Sequence, residues 1–66
     1  MNVNKLRAKM VEVGMNVEQL AAAIHKSRDF LYRRFKNPDE FTIRDIRLIK
    51  EALGMTNAEA CEIFLP

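Results

Sequence analysis

Residues 16–38 read NVEQLAAAIHKSRDFLYRRFKNP, from Asn16 to Pro38. Their start and stop signals divide the stretch into two short helices. Asn16 stands where a helix N-cap belongs, with Gln19 three residues later as a capping-box partner, and Met15 and Leu20 occupy the positions of a hydrophobic staple. The spacing predicts a helix over Val17–Ile24 that buries Leu20, Ala21 and Ile24. Ser27 caps the next helix, Arg28–Lys36, and Asn37-Pro38 ends it. The first helix is almost free of charge and rich in alanine, which favours helix and lets a neighbour approach closely. The second is basic. From His25 to Lys36 there are five Lys/Arg and one acid, whereas the rest of the chain holds six basic and eight acidic residues. Two helices meeting at a tight turn, the second carrying focused positive charge, is an arrangement that can place a helix in a DNA major groove.

Outward from this pair the helical pattern continues in both directions. Val3, Leu6, Met10 and Val13 form an apolar stripe for a helix over Val3–Val13, with Lys5, Arg7, Lys9 and Glu12 off it. Gly14 follows where a left-handed residue closes a helix. Beyond the acidic connection Asp39-Glu40, Thr42 and Asp45 cap a fourth helix, stapled by Phe41 and Ile46. Its stripe is Ile43, Ile46, Ile49 and Leu53, and Gly54 closes it. Thr56 and Glu59 form a capping box for a fifth helix ending near Leu65, with Ala60, Ile63 and Phe64 inward. No strand pattern, repeat or linker interrupts the series. The expected architecture is all-α, five short helices in a single domain over residues 1–66.

At about 100° per residue, Leu31 and Phe35 stack one turn apart and define the buried side of the basic helix. Asp29, Arg33 and Lys36 fall opposite, and Arg28 sits at the N-terminal end, where a long side chain can reach past the helix tip. A groove-inserted helix reads bases through its first turn and the next outward turn, so Arg28, Asp29 and Arg33 are the expected base contacts. Arginine donates two parallel hydrogen bonds to guanine, whereas aspartate can accept from cytosine or orient a neighbouring arginine. Tyr32, Arg34 and Lys36 are placed for phosphates, with Asn16 and Asn37 at the helix edges. Phe30 either touches a thymine methyl or covers the helix junction.

Composition narrows the alternatives. The chain has 66 residues, 48% of them hydrophobic, with a net charge of +2. It has one cysteine, Cys61, and one histidine, His25. An intramolecular disulfide and a cysteine-based zinc site are therefore excluded, and the Ser/His constellations lack support. Cys61 is expected as a small buried or interfacial side chain, His25 as a turn residue near phosphates, and Met1, Met10, Met15 and Met55 as core and staple residues. No cofactor, metal or small-molecule ligand is expected, and no catalytic set is present. No apolar run approaches membrane-spanning length, and MNVNKLRAK carries no apolar stretch behind its charges. With a lone thiol, the expected location is a reducing cytoplasm.

The segment from Asn16 to Phe35 resembles the helix-turn-helix of lambda-repressor-like proteins, the phage Cro and repressor type also called the XRE family. The similarity extends over nearly the whole chain. NKLRAKMVEVGM resembles the family's first helix and Leu20-Ala21 the LA pair of its second. Ser27, Leu31, Arg33 and Phe35 follow the recognition-helix pattern, and FTIRDIRLIKEALGMTNAEACEIF resembles the last two helices of small phage regulators. The resemblance implies sequence-specific, usually dimeric, binding to operator DNA, with base-reading positions at Arg28, Asp29 and Arg33. It places backbone contacts near the start of the second helix and near Lys36. Three positions depart from the pattern: Val17 replaces a frequent Gln, His25 a turn Gly, and Lys26 an apolar anchor.

Two functions follow as expectations. The first is a transcriptional regulator, of the phage or prophage Cro-like repressor type, binding double-stranded DNA as a homodimer on a palindrome. Its dimer contact is expected at Ile63, Phe64 and Leu65. The alternative is a protein-interaction module on the same fold, an antirepressor or antitoxin-like partner. The acidic segment from Asn37 to Pro66, with three basic and six acidic residues, motivates that second expectation.

Overall fold

The architecture, seen in a computed structural model, is described over residues 1–65. Five α-helices occur: α1 Val3–Val13, α2 Val17–Ala23, α3 Arg28–Lys36, α4 Ile43–Leu53 and α5 Asn57–Phe64. A 3-10 turn, Pro38–Glu40, joins α3 to α4. The fold is all-α, and every predicted cap forms. The Asn16 side chain accepts from the Gln19 N–H at 2.8 Å while Gln19 accepts from the Asn16 N–H at 2.9 Å. The same reciprocal box closes at Thr42/Asp45 and Thr56/Glu59, and Ser27 accepts from the Phe30 N–H at 3.1 Å. Each such bond satisfies an amide that the helix itself leaves unpaired, worth about 1 kcal/mol apiece. Asn2 adds a cap to α1 that the apolar pattern does not reveal, accepting from the Lys5 N–H at 3.0 Å.

Leu6, Leu20, Ile24, Leu31 and Ile49 are fully buried, and they draw on α1, α2, α3, α4 and the residue that ends α2. Helix α4 is central and packs against α1, α2 and α5, while α3 packs chiefly on α2 and on the 3-10 turn. Helix α3 therefore lies to one side of the core with its outer face uncovered. Phe41 and Phe64 meet edge to face at 6.1 Å, closing α5 over the α4 end of the core. The ends of the described chain also meet, since the Asn2 N–H donates to the Ile63 carbonyl at 2.7 Å.

Several expectations about burial need correction. Ile43 is 72% exposed, because steps of three along a helix drift by about 60° each and carry it about 120° from Ile49. Val13 is exposed as the last residue of α1, overhanging the core. Cys61, expected buried or interfacial, is exposed on α5, which removes the buried alternative. Ile63 and Phe64, expected at a dimer contact, belong to the chain's own core. Only Leu65 of that trio faces outward, at 75% exposure. Two adjacent positions on one helix point about 100° apart, so a run of three apolar residues cannot all face a partner.

Candidate nucleic-acid interface

The joint between α2 and α3 sets the presentation of α3. Helix α2 closes through a pair of bonds, with the His25 N–H donating to the Ala22 carbonyl at 3.2 Å and the Lys26 N–H to the Ala21 carbonyl at 2.8 Å. This is the Schellman pattern, which requires a left-handed residue after the helix. His25 supplies it at φ 60°, the one non-glycine residue with positive φ among those described. Two residues later Ser27 caps α3. A close turn follows from these two devices, and Ala21 is buried where α3 leans on α2.

With Leu31 and Phe35 buried, Asp29, Arg33 and Lys36 are exposed together on the opposite side, and Arg28 is exposed at the N-terminal tip of α3. Ser27, Asp29, Tyr32, Arg33 and Lys36 line one shallow depression. Of the three expected base contacts, Arg28 alone carries an ion pair among the described residues: its Nη1 donates to Glu18 Oε1 at 3.1 Å. Arg33 has no acidic partner among the described residues. Asn37 is exposed at the end of α3.

On one flank, Asn16 and Tyr32 line a groove with Arg7, Val11, Val17 and Glu18. Tyr32 leans edge-on against Phe35 at 6.5 Å, and the Arg7 guanidinium lies over that same Phe35 ring at 4.8 Å. Arg7 thus brings a positive charge from α1 to the edge of α3. On the other flank, His25, Lys26 and Arg44 surround a cleft with Arg34 and Thr42. Neither Arg7 nor Arg44 stands out in the sequence as part of a charge cluster. Both are off-stripe residues of their own helices, and only the packing of α1 and α4 beside α3 brings them near it.

Two predicted flanking residues turn inward instead. Arg34 is only 22% exposed, pairs with Glu40 at 3.2 Å and lies 3.9 Å from Asp45. Its guanidinium also covers the Phe30 ring at 4.5 Å, with Lys26 near the same ring at 5.2 Å. At 3.9 Å the Nε–Asp45 contact is an ion pair rather than a hydrogen bond, and the buried Nε has no hydrogen-bond partner. Asp45 is itself buried, having been drawn inside by its capping role. Arg34 is therefore a packing and charge-balancing residue, and Phe30 covers the helix junction.

Among the described residues, no group of three or more His, Cys, Asp or Glu side chains is placed to hold a metal ion. No helix among them is long and apolar enough to cross a membrane. No family model, characterised protein or solved structure matches this chain.

Proposed function

We propose that this chain binds double-stranded DNA by seating α3 in the major groove. In this role it acts as a transcriptional regulator of the lambda-repressor-like, phage Cro-type kind. The observation that carries the proposal is the exposed outer face Asp29, Arg33 and Lys36, with Arg28 exposed at the helix tip, on a helix whose back is buried in the core. Arg7 and Tyr32 lie on one side and Lys26 and Arg44 on the other. A B-DNA major groove about 12 Å wide offers base edges to a helix and phosphates on both rims. A central reading row with a cation on each side suits that target better than a uniformly charged surface does.

Two copies are part of the proposal. The molecule measures 26 × 24 × 20 Å, whereas successive major-groove faces lie about 34 Å apart. One copy reaches a single half-site, so reading a palindrome takes a homodimer. Its contact surface excludes Ile63 and Phe64, which the core uses, and retains Leu65.

Selection of bound duplexes from a random library tests the function directly. A DNA reader yields a preferred sequence and salt-sensitive retention of unrelated duplex at low salt. Within the preferred site, Arg33→Ala is expected to cost about 1–3 kcal/mol at one base position. Recovery of no sequence, with no low-salt retention, would favour the interaction-module function. The net acidic segment from Asn37 to Pro66 and the exposed Ile43 and Leu65 are what that second function rests on.

A further inference from the structure

We infer that Glu18 is a positioning residue that fixes the direction in which Arg28 reads and weakens attachment to the wrong DNA. The inference rests on the DNA-binding role proposed above. Glu18 lies in the first turn of α2 and Arg28 is the first residue of α3. Their contact, Nη1 to Oε1 at 3.1 Å, bridges the two helices across the joint. Both side chains are more than half exposed, so neither is held there by the core.

The chemistry of the pair is asymmetric. A guanidinium has five N–H donors in a rigid fork. Glu18 occupies one edge of that fork and leaves another free, and two donors on a free edge are what guanine O6 and N7 require. Holding the fork in place removes rotamer freedom before binding, which favours the one geometry that is held. Phosphate contact rewards a different behaviour. A swing of Arg28 toward a phosphate on an unrelated sequence breaks the pair and exposes an unpaired carboxylate to the polyanion. Repulsion of that kind raises selectivity by penalising the wrong partner rather than by improving the right one. Arg33 has no such tether among the described residues, so it serves as an internal control.

The experiment uses the full chain, with the duplex selected by the wild type and a scrambled duplex of equal length as probes. Glu18→Gln keeps the size of the side chain and removes its charge. It is expected to strengthen binding to scrambled duplex about 2- to 5-fold at low salt, the range set by an exposed ion pair. Affinity for the selected duplex should change less, so the ratio between the two shrinks. Base preference should flatten at the position read by Arg28 and persist at the position read by Arg33, with thermal stability unchanged. In an Arg28→Ala background, Glu18→Gln should alter base preference no further. An unchanged ratio in Glu18→Gln, or equal flattening at every base position, overturns the role given to Glu18. A wild-type chain that retains no duplex at low salt overturns the DNA-binding function itself.

Discussion

Three helix–helix joints in this molecule share one backbone design, and the joint before α3 differs from the other two in chemistry. At Gly14-Met15-Asn16 and at Gly54-Met55-Thr56, a left-handed glycine ends a helix, a methionine follows, and a cap opens the next helix. His25-Lys26-Ser27 repeats the same order. The bond pattern repeats as well: the Met15, Lys26 and Met55 amides donate to the carbonyls of Met10, Ala21 and Lys50, each five residues back. Schellman joints ordinarily place an apolar side chain after the left-handed residue, where it packs on the preceding turn. Met55 does so and is buried, and Met15 packs partly against the core. Lys26 instead stays exposed and extends over Phe30. The joint next to the candidate reading helix thus keeps the geometry while giving up both the easiest residue for the turn and the apolar anchor. What it gains is an exposed positive charge beside the candidate reading helix.

The largest test of this difference is anchor removal. Met55→Ala is expected to destabilise the chain by about 2–5 kcal/mol, as truncation of a buried side chain does. Lys26→Ala should stay within about 0.5 kcal/mol, since an exposed residue is lost. Urea denaturation of the two variants measures both, and equal losses would show that the joints are energetically alike. The next test concerns the left-handed residue. No atom lies within 4 Å of a Cβ added at Gly54. Gly54→Ala should therefore lose about 1–2 kcal/mol from backbone conformation alone. His25→Gly should move in the other direction, gaining up to about 1 kcal/mol as left-handed strain is relieved against added freedom in the unfolded chain.

A smaller effect belongs to the cap of the third joint. Glu59 closes the Thr56 box and accepts from Lys9 at 2.7 Å, with Lys9 also 3.3 Å from Glu12. The Lys9 hydrogen bond, followed by that from the Thr56 backbone, lowers the Glu59 carboxyl from its ordinary 4.5 to about 2. A depressed carboxyl adds stability above its unfolded value and loses it as pH falls through the folded one. Stability should therefore decline between about pH 4.5 and pH 2, and Glu59→Gln should flatten that part of a denaturation–pH profile. The Ser27 joint has no carboxylate box, so Ser27→Ala should leave the acid limb unchanged.

Much of the fold is legible in the residues because its punctuation is local. Asn16, Ser27, Thr42 and Thr56 each act on an amide three residues away, and Gly14 and Gly54 act on their own backbone. The helices they bound were readable to within a residue. Asn2 is not legible as a cap because it precedes an apolar stripe without a capping-box acid. Pro38–Glu40 looked like plain connection, since a single 3-10 turn has no periodicity to display. Side-chain direction was less accessible. Arg34 reads as an outward cation until Glu40 and Asp45 are brought beside it, and only the packing of α4 does that. Glu18 and Arg28 are ten positions apart, and nothing in either helix alone announces their contact. Ile63 and Phe64 read both as inward residues of α5 and as a dimer contact, and burial keeps both in the core, Phe64 against the edge-on Phe41 ring.

The bond from the Asn2 amide to the Ile63 carbonyl has a kinetic side. Helices α2 and α3 meet through neighbours in sequence, whereas α1 reaches α5 only after nearly the whole chain has been drawn into a loop. Closing a loop costs an entropy that grows with its length, and the contacts that repay it form afterwards. The clasp between the chain's two ends should then be the last part to assemble and the first to open. Slow amide exchange would concentrate in α2 and α4, with Asn2 exchanging early while α3 still stands on its partner helix.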